Sequence, residues 1–175
     1  MRKLEVYIAM SIDGYIAKPN NDLSFLQLVE QPGEDYGYNQ FMETVDTIII
    51  GRNTYNWLKA NSDSFPYNNR SVYVITHEEK APYNNIIFYN KSLGELIAVL
   101  KNAAGNKAIY CDGGAQIIQQ LLQLNAIDEL TLSIIPVTLG SGTALFSSLL
   151  PQQNWQLVSA TSFPKGLVQI HYKKA

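Results

Sequence analysis

Twice in this 175-residue chain an apolar run passes straight into glycine and then into a helix-forming segment, at TIIIGRNTYNWL and at AIYCDGGAQIIQQLL. Units of this kind are buried strands followed by crossovers, so a chain built from them folds as layered α/β around largely parallel strands. The turns also carry chemistry. A helix start presents unpaired backbone N–H groups and the positive end of its dipole, and glycine lets a ligand's oxygens approach, so each turn is a candidate anion site. The first holds Arg52, whose guanidinium can fork onto a phosphate, and Thr54, which can cap the helix or donate its hydroxyl. Two such turns suit a ligand with two phosphate groups and point towards a phosphorylated dinucleotide. Glycine between strand and helix is also ordinary loop chemistry, and neither segment is a G-x-G-x-x-G or P-loop motif.

The remaining pattern fills in the frame. Leu4, Val6, Ile8, Met10 and Ile12 alternate with more polar residues as a first strand, which Asp13-Gly14 turns. Residues 18–34 hold turn formers with no sustained period, a long loop of the kind that covers a pocket. A short helix over 35–45, a buried strand over 46–50, a helix over 54–60 and strands over 71–76 and 84–89 follow. Ser92 and Glu95 form a capping box opening a helix whose stripe is Leu93, Leu96, Ile97 and Leu100. Strand 107–111, a helix from about 115 and strand 128–135 lead to a hairpin of 155–163 and 166–173. The expectation is one domain over 1–175, a three-layer αβα sandwich on a mixed, mostly parallel sheet with a C-terminal antiparallel hairpin.

Composition removes several function classes. A net charge of −2 with scattered basic residues gives no footprint for nucleic acid or anionic lipid. Glu5 and Asp13 interrupt any signal-peptide core, and no stretch approaches a membrane span, so the expected location is the cytoplasm. The single cysteine, Cys111, forms no internal disulfide and reads as a buried bystander beside Asp112. His77 and His171 lack paired-ligand spacing, and Gly-Ser-Gly at 140–142 is not a hydrolase elbow.

The ordered set AMSIDGYIA, VDTIIIGRNTY, CDGGAQIIQQLL, IDELTLSIIPVTLGSGTALF and SFPKGLVQIHYKK resembles, nearly end to end, the dihydrofolate reductase-like family. The resemblance is strongest to the reductase domain of riboflavin-pathway deaminase-reductases and their stand-alone bacterial relatives. It implies NADPH across the strand ends and hydride transfer to a small pterin- or pyrimidine-like heterocycle. By that resemblance Ala9, Ile16 and Ala17 line the nicotinamide pocket; Gly51, Arg52 and Thr54 lie near the adenosine phosphates; Thr76 and His77 lie near the 2′-phosphate. Gly113, Gly114, Ala115 and Gln116 match the diphosphate turn, where relatives can carry a cis Gly-Gly peptide. Asp35 falls near the carboxylate that helps protonate the substrate, and is equally placed to complement a helix dipole.

Two features depart from the family pattern. Ser24-Phe25-Leu26 stands where relatives often have Asp-Trp-Leu, and the only basic candidates for a ribosyl-phosphate substrate are Lys18, Lys59, Arg70 and Lys165. A nucleotide-binding module of the same fold without catalysis is the alternative. Relatives pair through the sheet edge, which implies a homodimer, with Trp155, Leu157 and Phe163 as apolar candidates for the contact.

Overall fold

The computed structural model describes residues 1–175. Its strands are β1 (Leu4–Ser11), β2 (Tyr15–Ala17), β3 (Val45–Gly51), β4 (Ser71–Ile75), β5 (Ile86–Tyr89), β6 (Ala108–Gly113), β7 (Glu129–Ile135), β8 (Thr143–Ala144), β9 (Trp155–Ser162) and β10 (Val168–Lys174). The helices are α1 (Tyr38–Glu43), α2 (Arg52–Asn61), α3 (Leu93–Asn102) and α4 (Ala115–Gln123). Eight strands form one sheet in the order β5-β4-β3-β6-β1-β7-β10-β9, and β2 pairs separately with β8. The strands from β5 to β7 run parallel; β10 and β9 add the antiparallel hairpin at one edge. The architecture is the expected αβα sandwich. No helix is long and apolar enough to cross a membrane.

Burial follows the sequence pattern closely. Ile48, Ile49 and Ile50 are all fully buried, as a central strand covered on both faces requires. One core joins the stripes of α3 (Leu93, Leu96, Ile97, Leu100) and α4 (Ile117, Ile118, Leu121, Leu122) to Val6, Ile49 and Ile109. The opposite core joins Met42 of α1 and Tyr55 of α2 to Ile48, Ile50, Val72 and Tyr110. Ser92 caps α3, its hydroxyl accepting the Glu95 N–H at 3.4 Å.

Three expectations shift. The helix expected over 35–45 is only Tyr38–Glu43, because Tyr36 (φ 59) and Gly37 (φ 84) take left-handed backbone and stop it extending backwards. The helix expected from 54 begins at Arg52, with Gly51 as its N-cap, so Thr54 lies inside the first turn and does not cap. The long loop 18–34 carries two short 3₁₀ turns and sends Phe25 and Val29 into a small core with Ile135 and Leu167.

Topology fixes where a ligand can sit. The crossover β3-α2-β4 runs outward in one direction, whereas β6-α4-β7 runs in the other, so the adjacent strands β3 and β6 bound a topological switch point. In open parallel sheets the crevice beyond the strand ends at such a point is the ligand site.

Candidate active site

At the switch point the starts of α2 and α4 touch. Their N-caps are Gly51 and Gly114, and neither has a side-chain cap, so the first N–H groups of both helices remain available. A Cβ on Gly51 would stand 3.3 Å from Ile117 Cγ1 and 3.5 Å from the Gly114 nitrogen; one on Gly114 would stand 3.4 Å from Thr54 Oγ1. Glycine is therefore what lets the two turns lie together, with the Thr54 hydroxyl beside the second. The Gly113–Gly114 peptide is cis. Ala115 is buried and Gln116 exposed in the first turn of α4. These uncapped, adjacent helix starts fit a diphosphate group.

Arg52 reaches sideways from this crevice to the end of β4. Its Nη1 donates to Thr76 Oγ1 at 3.2 Å and pairs with Glu78 Oε2 at 2.8 Å, while the Glu78 N–H donates to Thr76 Oγ1 at 3.1 Å. The hydrogen bond and charge of Arg52 hold the Glu78 carboxyl below its ordinary pKa. Arg52 and Thr76 thus converge at the end of β4. His77 is exposed and makes no side-chain hydrogen bond to either of them.

At the other end of the same strand edge lies a cavity of about 390 Å³ lined by Tyr7, Ile8 and Ala9 of β1, Ser133 and Ile135 of β7, and the loop residues Leu26, Val29, Glu34 and Asp35. The loop 18–34 does cover it. Lys18 Nζ donates to Ser24 Oγ at 2.8 Å and Lys165 Nζ donates to the Glu30 carbonyl, pinning the loop. Ile16 and Ala17 sit on β2, Ile16 half-buried against the core and Ala17 buried. Asp13 fastens the turn before them: its carboxylate accepts from Ser11 Oγ at 2.5 Å, the Leu139 N–H at 3.0 Å and the Gly140 N–H at 2.7 Å. These bonds, Ser11's foremost, hold its pKa at about 2.

Asp35 lines the cavity, but its oxygens face the chain that follows. Oδ2 accepts the Asn39 N–H and Oδ1 the Gly37 N–H, each at 2.9 Å, and these bonds lower its pKa. A carboxylate held ionised in this way is a poor proton donor.

A polar network that the sequence did not suggest lies beside the cavity. Tyr67 OH and Tyr110 OH donate to the two oxygens of Asp112 at 2.6 and 2.7 Å, and Tyr38 OH lies 3.3 Å from Tyr67 OH. Since Tyr67 donates to Asp112, Tyr38 must donate to Tyr67. Burial raises the Asp112 carboxyl, against the lowering effect of the two phenols. Tyr38 also lines the cavity, so the chain of hydroxyls runs from its wall inward. Nearby, Tyr7 OH donates to the Tyr36 carbonyl at 2.5 Å and accepts from Gln169 Nε2 at 2.6 Å, while its ring stacks on Phe41 at 4.9 Å. Burial pushes the Cys111 thiol up to about 12, which leaves it inert.

A family model described as the RibD C-terminal domain matches residues 2–169. The chain belongs to the RibD C-terminal domain family. The Bacillus subtilis (strain 168) protein YwjB is 37% identical over 175 residues, 99% of each chain. Among solved structures, a Shewanella sp. PV-4 protein assigned by name to riboflavin biosynthesis is similar at 32% identity and a TM-score of 0.88, covering 99% of both chains. Dihydrofolate reductase from Enterococcus faecalis, solved with NADP(H), shares the fold at a TM-score of 0.67 and 18% identity, over 98% of this chain and 96% of that one.

Within the RibD C-terminal fold, this chain's signal for the two helix starts was plain, because glycine interrupts an apolar strand. Glu78 and the tyrosines gave weaker signals. Tyr110 and Asp112 alternate on one face of β6, a spacing that could have paired them, but nothing local joins either to Tyr67 or Tyr38.

Proposed function

We propose that this chain is an NADPH-dependent reductase that transfers a hydride to a C=N or C=O bond of a small pterin- or pyrimidine-like heterocycle. What carries the reading is the strip along one edge of the sheet. It runs from Arg52 and Thr76 at the end of β4, through two uncapped helix starts, to the cavity beside Ala9 on β1. From β4 to β1 there are three strand spacings, roughly 14 Å at ~4.8 Å each, a span that an extended dinucleotide can bridge.

Backbone N–H groups at Gly51–Arg52 and Gly114–Gln116, with the Thr54 hydroxyl, would hold the diphosphate; Arg52, Thr76 and His77 would hold the adenosine 2′-phosphate. Ala9, Ile16 and Ala17 would bound the nicotinamide, which supplies the hydride when the cofactor is bound. Their apolar surface excludes water and fixes position. The proton comes from water in the open cavity mouth, with Asp35 serving the backbone of α1.

The cavity also bears on the substrate. Its lining includes Glu30, Glu34 and Asp35 and no lysine, arginine or histidine. Arg70 is committed to the Met42 and Val45 carbonyls, Lys18 and Lys165 to the covering loop, and Lys59 lies over the Tyr55 ring. A heterocycle without phosphate suits this site better than a ribosyl phosphate.

The reading further places the protein in the cytoplasm as a single-domain homodimer. The edge strand β9 is exposed along most of its length, with Leu157 55% and Val158 50% exposed, whereas Trp155 and Phe163 pack on the protein's own core. A sedimentation mass of one 19.6 kDa chain at micromolar concentration overturns the dimer.

The functional test is NADPH titration followed by NADPH oxidation in the presence of unphosphorylated pterins and pyrimidines. Arg52→Ala should weaken NADPH about ten- to a hundredfold, the loss of a charge-assisted contact worth roughly 1.5–3 kcal/mol. Binding without turnover on any candidate favours a nucleotide-binding module, and no binding refutes the reading.

A further inference from the structure

The environment of Arg52 holds more than a phosphate site needs. A guanidinium kept for a 2′-phosphate would be expected to face open solvent or hydroxyl donors, yet here it is already paired with a carboxylate. The placement of Glu78 is not an accident of a long side chain: its backbone N–H and Arg52 share the same acceptor, Thr76 Oγ1, so the turn after β4 brings the carboxylate to the guanidinium. The Glu78 side chain is 64% exposed, which leaves it free to swing out when something else claims Arg52.

We propose that Glu78 sets cofactor selectivity by competing with the ribose 2′-phosphate for Arg52. This rests on the dinucleotide reading above. A 2′-phosphate arriving at Arg52 must displace Glu78 and then remain close to its negative charge, whereas a ribose 2′-hydroxyl can donate to the carboxylate and leave the ion pair in place. The chain therefore accepts NADH alongside NADPH, with a preference for NADPH narrower than Arg52 alone would give.

The test is titration of purified full-length protein with NADPH and with NADH, using wild type, Glu78→Gln, Glu79→Gln and Arg52→Ala. Glu79 follows Glu78 and is exposed, and its loss changes the net charge by the same amount without touching Arg52. Glu78→Gln should tighten NADPH about tenfold, while NADH changes by no more than about twofold and Glu79→Gln leaves both nearly unchanged. Equal changes for the two cofactors in Glu78→Gln, no change in either, or the same gain in Glu79→Gln overturns the proposal while leaving the cofactor site intact. Failure of every form to bind either cofactor overturns the dinucleotide reading itself. An unaltered melting temperature in Glu78→Gln confirms that the comparison is between folded proteins.

Discussion

Of the glycines, Gly142 leaves the least room for a side chain, and its replacement by alanine is the sharpest test of how the strand β2 is held. Its φ is +140°, and a Cβ there would stand 2.0 Å from the Ala17 carbonyl oxygen and 3.1 Å from both the Ala17 carbonyl carbon and Lys18 Cα. All three are backbone atoms, so no side chain can rotate away. Strain in this backbone region costs roughly 1–3 kcal/mol and forced overpacking about as much again, so Gly142→Ala should lose roughly 2–6 kcal/mol. At about 2–4 °C per kcal/mol for a domain of this size, the melting temperature should fall by at least about 4 °C. Gly140 provides the control: its φ of +70° is also left-handed, but a Cβ there meets nothing within 4 Å. Gly140→Ala should cost only the conformational part, about 1–2 kcal/mol. In the proposed reading Ala17 bounds the nicotinamide, so Gly142→Ala should also weaken NADPH while Gly140→Ala does not. Thermal melts of both variants by circular dichroism decide the matter. Equal losses in the two, or an unchanged melt for Gly142→Ala, would show that the β2–β8 contact yields easily and would refute the argument from close approach.

Three further outcomes are expected. Tyr67→Phe removes one of the two donors to Asp112 and should cost about 1–3 kcal/mol, whereas Tyr38→Phe, whose hydroxyl lies 3.3 Å from Tyr67 OH and does not bond Asp112, should cost less; chemical denaturation of both checks the order. Asp35→Asn should leave turnover within a fewfold of wild type, since the carboxylate serves the Gly37 and Asn39 N–H groups; a loss beyond about a hundredfold would reinstate Asp35 as proton donor. For Asp13, the folded pKa of about 2 lies below the ordinary value, so its contribution is complete above about pH 4 and is lost as pH falls towards 2. The Leu139 and Gly140 amide resonances should titrate in that window and cease to do so in Asp13→Asn; a midpoint near 4 in wild type would contradict the assigned bonds.

The elements were legible where period and punctuation agree. The alternation in β1, the unbroken apolar run Ile48–Ile50 and the stripe of α3 each name their partners by burial alone. Asp35 shows where this stops. Its position near the cavity could be counted from GRNTY, but its role is decided by the left-handed backbone at Tyr36 and Gly37, which delays the start of α1 to Tyr38 and turns two N–H groups onto the carboxylate. Local sequence permits that conformation without requiring it.

Glu78 marks a second limit, and a more consequential one. Read along the chain, it is one acid in an exposed His-Glu-Glu-Lys turn, while Arg52 belongs to a glycine turn on a different strand. What joins them is register: Gly51 lies opposite Ile75 in the parallel β3–β4 ladder, so the residue opening α2 faces the residues leaving β4. The pairing is thus a property of the sheet, and it changes the meaning of an arginine that sequence alone assigns to a phosphate. In the proposed reading, the register that presents Arg52 to a 2′-phosphate also supplies the phosphate's competitor, so changing Glu78 should alter cofactor choice without disturbing the helix starts proposed to hold the diphosphate.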